Sequence, residues 1–180
     1  MNPQLLSESD IDAELDAEIR KLLCACFKKD EQIFSKTRHW NNCSPSFSLI
    51  LRDGDRIAAH VAVIDRTISA GLEQIRVAGI GNVCTLPDYR GRNLSGRLLA
   101  TAMSEAEKRR FDCGLLFCAP ELKKVYTRNG WIEISLDDHK FFAERNGSRI
   151  ELPLSQAKML YPLRRSELSA GIIDLRGGKW

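Results

Sequence analysis

The 180-residue chain lacks any apolar run near the ~18–20 residues that a bilayer-spanning helix needs, so no helical membrane span is expected. Aromatic residues are few, at 7%. Its lysines and arginines are scattered, with no basic stripe interleaved with aromatics, which argues against a nucleic-acid surface. None of the cysteines Cys24, Cys26, Cys43, Cys84, Cys113 and Cys118 forms a CxxC pair. No Cys/His set has zinc-ligand spacing, so neither a metal site nor a disulfide framework is indicated. Most of these cysteines lie in apolar stretches such as KLLCACF and CGLLFC, as expected of reduced, buried thiols. The opening MNPQLLSESDID is acidic and lacks the basic-then-apolar pattern of a secretory signal, so a cytoplasmic location is expected. No repeat, low-complexity block or Pro/Gly/Ser linker divides the chain, and one domain over 1–180 is the simplest organisation. A formal net charge of +3 suits a phosphate-bearing ligand without requiring one.

Periodicity predicts a helix over about 10–27, capped at Ser9-Asp10, and a polar stretch over 28–46 with a short helix and loop. A strand over 47–51 is followed by the hairpin turn Asp53-Gly54-Asp55 and a returning strand over 56–69. A third strand spans 74–85. Leu94, Leu98, Leu99, Ala102, Met103 and Ala106 then form one stripe of a helix over 93–109. Cys113–Cys118 is wholly apolar, as a central strand buried on both faces should be. A short helix over 120–129 ends at Asn129-Gly130, a strand follows over 131–135, and weaker strand signals lie at 138–144 and 149–152. The remainder reads as a tail. The order indicates an α/β domain with a mixed, mostly antiparallel sheet flanked by helices.

The stretch with the most chemistry is Val83-Cys84-Thr85-Leu86-Pro87-Asp88-Tyr89-Arg90-Gly91-Arg92-Asn93-Leu94-Ser95-Gly96-Arg97. A strand ends, a tight turn follows, and a helix opens among small polar residues and arginines. Free N–H groups and the positive end of the helix make such a start an anion site. Gly91 lets a ligand approach the backbone, and Arg90, Arg92 and Arg97 add charge. The stretch lacks GK[ST] and GxGxxG, so it is neither a Walker motif nor a dinucleotide fingerprint.

V-x-x-x-P-x-Y-R-G over Val83–Gly91 resembles the acyl-coenzyme A motif of the GNAT (Gcn5-related N-acetyltransferase) superfamily, whose pattern goes on as R-x-x-G-x-G/A. Asn93 and Ser95 stand where glycine and glycine or alanine are usual. Val125-Tyr126-Thr127-Arg128-Asn129-Gly130-Trp131 resembles that superfamily's second landmark, Y-x-x-x-G-[FW]. A resemblance over most of the chain is to the aminoglycoside 2'-N-acetyltransferases, through EIRKLLCACF, RIAAHVAVIDR, YRGRNLSGRLL, KVYTRNGW and DLRGGKW.

The resemblance implies a GNAT fold and acetyl-CoA as donor. It implies a cofactor site at Val83, Cys84, Thr85, Arg90, Gly91, Arg92, Asn93, Leu94, Ser95 and Gly96. It implies direct transfer of acetyl to a primary amine of a small molecule, with Tyr126 protonating the departing thiolate. Asp30, Gly81 and Trp180 fall at acceptor-binding positions of the aminoglycoside enzymes. Gly81, Ser155 and Gly178-Lys179 stand where those enzymes carry acids, so a classical aminoglycoside is not the expected acceptor. His60, Glu133, Asp137 and His139 are candidate bases, each equally readable as a structural residue, and Cys84 is a remote candidate acetyl carrier. The competing readings are a longer-chain acyltransferase and a silent acyl-CoA-binding module. A homodimer is common in the superfamily, and the 153–180 tail is assigned to the acceptor side or to an interface.

Overall fold

The computed structural model describes residues 1–180. In chain order the elements are β1 (Gln4–Ser7), α1 (Ala13–Cys26), α2 (Glu31–Phe34), β2 (Phe47–Asp53), β3 (Arg56–Ala70), β4 (Glu73–Thr85) and α3 (Leu94–Lys108). Next come β5 (Cys113–Cys118), α4 (Lys123–Thr127), β6 (Ile132–Glu133), β7 (His139–Arg145), β8 (Ser148–Glu151), β9 (Ala157–Pro162) and β10 (Gly171–Asp174). All ten strands belong to one sheet, in the order β6-β9-β5-β4-β3-β10-β7-β8, with β2 on the first half of β3 and β1 beyond it. Only β4–β5 and β10–β7 run parallel, so the sheet is mixed and mostly antiparallel.

Two-residue alternation distributes the core. Leu49 and Leu51 of β2 pack with Leu94, Leu98, Ala102 and Met103 of α3 on one face. Ile50 between them packs with Ile19, Leu22 and Leu23 of α1 on the other. β3 and β4 are buried on both faces over most of their length, which is why alternation is weak in their sequences.

Two expectations change. A 3-10 turn occupies Glu8–Asp10, and α1 begins later, where the Asp12 side chain accepts from the Leu15 N–H at 2.9 Å. The stretch read as a tail contributes two strands. β9 pairs with β5 along its whole length and separates it from β6, and β10 lies between β3 and β7. No helix is long and apolar enough to cross a membrane.

Two irregularities place the site. Around Asn82 the β3–β4 register shifts, and Asn82 itself takes a left-handed conformation with φ of 52°. The β4–β5 ladder ends at Ile80↔Leu116, although β4 continues to Thr85 and β5 to Cys118. Beyond that rung the two parallel strands have parted, and β4 keeps backbone groups unpaired on its β5 side.

Candidate active site

The Asn82 bulge is pinned from both sides. Its side-chain Nδ2 donates to the Arg38 carbonyl at 2.5 Å, and its own carbonyl accepts from His60 Nδ1 at 3.1 Å. Arg38 is in turn buried and ion-paired with Glu8 and with Asp16, the latter at 2.6 Å. This network holds the point at which β4 leaves β5.

The parted strands open into a cleft of about 850 Å³ between the end of β4, the start of α3 and α4. Val83, Cys84, Thr85, Arg90, Gly91, Asn93, Leu94, Ser95, Gly96 and Tyr126 all line it. The Thr85 and Ser95 hydroxyls bond to each other at 2.8 Å and tie the strand end to the first turn of the helix. The first backbone donor of α3 with an intrahelical partner is Arg97, bonding to Asn93 O at 3.1 Å. The N–H groups of residues 91–96 have no acceptor in the protein, a run of six donors at one helix start. Gly91 (φ 78°) and Asn93 (φ 53°) supply the left-handed conformations that curl the chain there. Gly96 has no room for a side chain, because a Cβ would run into the Asn93 and Asn129 side-chain oxygens.

Arg92 stands apart from this set. It does not line the cleft; its guanidinium lies 5.2 Å from the centre of the Tyr89 ring. Sequence reasoning missed the opposite wall, formed by Cys26 and Phe27 at the end of α1 and by Leu122, Val125, Arg128 and Asn129 around α4. Val125, Arg128 and Asn129 lie inside the second landmark, but no local pattern marks Cys26 and Phe27, which only the tertiary approach of α1 to β4 brings in.

Tyr126 is 8% exposed, and its ring meets Trp131 edge-on at 6.3 Å between centroids. Burial, then the neighbouring Cys118 sulfur, push its hydroxyl well above the ordinary phenol range, and no hydrogen bond contributes. His60 is 1% exposed, and burial pushes its pKa down to about 4. With Nδ1–H donating to Asn82, its buried Nε2 is left without a partner. Cys26 and Cys84 lie side by side, and hydrogen bonding between their thiols lowers the first and raises the second. The raised, buried Cys84 is a poor nucleophile.

A second cleft of about 590 Å³ lies beyond the end of β5. Asp30 and Trp180 line it, as do Trp40, Phe117, Cys118, Glu144, Glu151 and Lys179. Gly81 does not; it faces Ile64 and lies beneath Trp180. Neither cleft includes His60, Glu133, Asp137 or His139. Glu133 is paired with Lys123 at 2.9 Å, and the ring nitrogens of His139 face the Ser135 and Leu168 carbonyls.

The family model for the acetyltransferase (GNAT) domain matches residues 7–134, more than two thirds of the chain. The chain belongs to the GNAT acetyltransferase family. Solved structures of similar fold include the GNAT family N-acetyltransferase YhbS from Escherichia coli in complex with CoA. It aligns with a TM-score of 0.68 at 15% identity, covering 98% of this chain and 91% of that one. Escherichia coli ElaA aligns with a TM-score of 0.63 at 15% identity, over 89% of this chain and 98% of its own. An acyl-CoA N-acyltransferase from Pseudomonas aeruginosa aligns with 0.61 at 17%, over the same shares. At these identities the likeness is one of fold. Within this GNAT fold, the parted parallel strands and the unpaired helix start occupy one cleft, and the tyrosine of the second landmark stands on its wall.

Proposed function

We propose that this protein is an acetyl-CoA-dependent N-acetyltransferase that moves an acetyl group directly onto a primary amine of a small molecule. The observation that carries the reading is the run of unpaired N–H groups at 91–96, all but Arg92 belonging to residues that line the same cleft as Tyr126. The residues present fit the donor. Six backbone donors at a helix start, with Arg90 at the mouth, suit a pyrophosphate. The unpaired β5 side of β4 suits an extended chain of amides. That a structural neighbour is in complex with CoA supports the same reading.

When bound, acetyl-CoA supplies a thioester whose acyl carbon accepts the amine. The chain's own residues do the remainder. Residues 91–96 hold the phosphates, and the Thr85–Ser95 bond keeps the helix start fixed against the strand end. Backbone N–H groups of Val83–Thr85 orient the donor arm and polarise the acyl carbonyl. The Tyr126 hydroxyl stays protonated at any working pH and gives its proton to the departing thiolate. The four histidine and carboxylate candidates lie outside both clefts and take no proton in this scheme; solvent is assigned to receive the amine's proton. The resemblance to aminoglycoside 2'-N-acetyltransferases puts amino sugars in the first acceptor panel.

Calorimetry with acetyl-CoA, free CoA and longer acyl-CoAs tests the donor. Gly91→Glu, which puts a carboxylate at the phosphate cradle, should weaken binding at least tenfold. Absence of binding by any of these donors would reject the reading. Thiol release with an amine panel tests the transfer.

A further inference from the structure

We propose that the acceptor amine carries a carboxylate, and that Lys179, with Arg145 beside it, receives that carboxylate in the second cleft. The inference rests on the N-acetyltransferase reading and names its acceptor class.

The charges of this cleft are unusual for the molecule. Most partly buried arginines elsewhere are paired, Arg38 with Glu8 and Asp16, Arg52 with Glu18 and Arg165 with Glu73, whereas Arg66 donates only to the Gly178 carbonyl and the Cys43 sulfur. Lys179, half-buried on the cleft wall, has no ion pair. Its Nζ donates to Gln156 Oε1 and lies 5.7 Å from the centre of the Phe117 ring, and neither neutralises it. Behind it Lys158 is 1% exposed and donates only to the Pro153 and Gln156 carbonyls, at 2.5 and 2.8 Å. Arg145 lines the cleft and is likewise without an ion pair. Burial, and repulsion from Lys158 and Arg145, press the Lys179 ammonium below its ordinary range. Arg145 is exposed, but Lys158 and Lys179 are like charges withdrawn from water, which raises the energy of the empty protein, and a bound anion relieves it.

The acids of the cleft are distributed differently. Glu144 and Glu151 are exposed, and Asp30 is half-buried. The cleft therefore sets half-buried Lys179, backed by buried Lys158, against half-buried Asp30, with Glu144, Arg145 and Glu151 at the exposed rim, which suits a molecule with both a carboxylate and an ammonium group. Phe117, Trp40 and Trp180 provide apolar walls for its body. The Cys118–Ala119 end of β5 lines this cleft, and the segment that follows it lines the donor cleft through Leu122, Val125 and Tyr126, so the two clefts flank one short stretch of chain.

The test uses matched acceptors: α- and ω-amino acids, their carboxamides, a phosphorylated amine and a polyamine. CoA thiol release is followed with acetyl-CoA. The acids are expected to exceed their amides at least tenfold in kcat/KM, and the polyamine to be the poorest. Lys179→Gln is expected to collapse the acid-to-amide ratio to within about twofold, chiefly through KM, and Lys179→Arg to retain it. Lys179→Gln removes repulsion and does not threaten the fold; thermal unfolding checks this. Amides or polyamines used as well as acids, a phosphorylated amine preferred to the acids, or a ratio unmoved in Lys179→Gln would overturn the inference. Calorimetry with the same acid and amide pairs, without CoA, separates the two proposals. Acid binding lost in Lys179→Gln supports the acceptor class even if donor binding fails, and no acid binding overturns it even if donor binding holds.

Discussion

Tyr126→Phe gives opposite signs for activity and stability, and the structure sets both. The ring is buried and meets Trp131 edge-on, and phenylalanine keeps that contact. What is lost is one hydroxyl on which no protein hydrogen bond acts. Leaving a buried polar group unsatisfied costs about 1–3 kcal/mol. This hydroxyl borders a cleft, so only part of that cost is released, and the variant should be equal to the parent in stability or slightly above it. Activity should move the other way. A positioned general acid contributes about 10²–10⁴-fold. The lower end applies here, because a hydroxyl raised above the usual phenol range is a weaker acid and solvent in the cleft can replace it. Turnover should therefore fall about 100-fold, or about 2.7 kcal/mol of transition-state stabilisation.

The assay is thiol release with the best amine of the panel, beside calorimetry with acetyl-CoA and thermal unfolding. The expected pattern is a large fall in kcat, unchanged acetyl-CoA affinity and an unchanged or slightly raised Tm. The pH profile adds an independent reading. Because the Tyr126 pKa is raised, the hydroxyl stays protonated beyond the ordinary ~10, so it adds no alkaline fall in kcat below that pH. A kcat within about threefold of the parent would show that Tyr126 only packs against Trp131.

The surroundings of the site give three more tests. Gly91 is at φ 78°, and the Cβ that alanine would add there meets nothing within 4 Å, so Gly91→Ala should cost about 1–2 kcal/mol in unfolding experiments through backbone strain alone. It should weaken CoA far less than Gly91→Glu. His60 has a folded pKa of about 4 against about 6.5 when unfolded. Its contribution is full above pH 6.5 and disappears as the pH falls to 4, about 3 kcal/mol in all; His60→Gln should flatten that part of a urea-unfolding series. At Gly79 a Cβ would stand 2.5 Å from the Trp180 indole. Gly79→Ala should therefore cost about 1–3 kcal/mol in thermal unfolding and raise acceptor KM more than acetyl-CoA KM.

The local elements were legible where one face of an element is wet. α3 shows its stripe in sequence because Arg97, Ser104 and Lys108 face water while Leu98, Ala102 and Met103 do not. β9 was not legible for the opposite reason. Ala157 to Leu160 are all buried between β5 and β6, so there is no alternation, and Lys158 within the run reads as a surface residue. β1 is a four-residue edge strand whose only partner is β2, too short to carry a period.

The two halves of the site differ in legibility for a related physical reason. A cradle for phosphate is built from consecutive backbone donors, so its residues are neighbours in sequence and 90–96 announce it. The second cleft is assembled from Asp30 before α2, the Trp40–Asn41 loop, the end of β5, the β7–β8 hairpin, the approach to β9 and Lys179–Trp180. Its cations are Lys179 and Arg145, with buried Lys158 behind them, residues unremarkable one by one along the chain. What distinguishes them is a missing partner, and that is a property of three-dimensional neighbourhood. Composition counts 27 basic and 24 acidic residues, which hides a cleft where the basic ones stand unpaired. If Lys179 receives the acceptor, substitutions there should change the acceptor while leaving the donor cradle as it is.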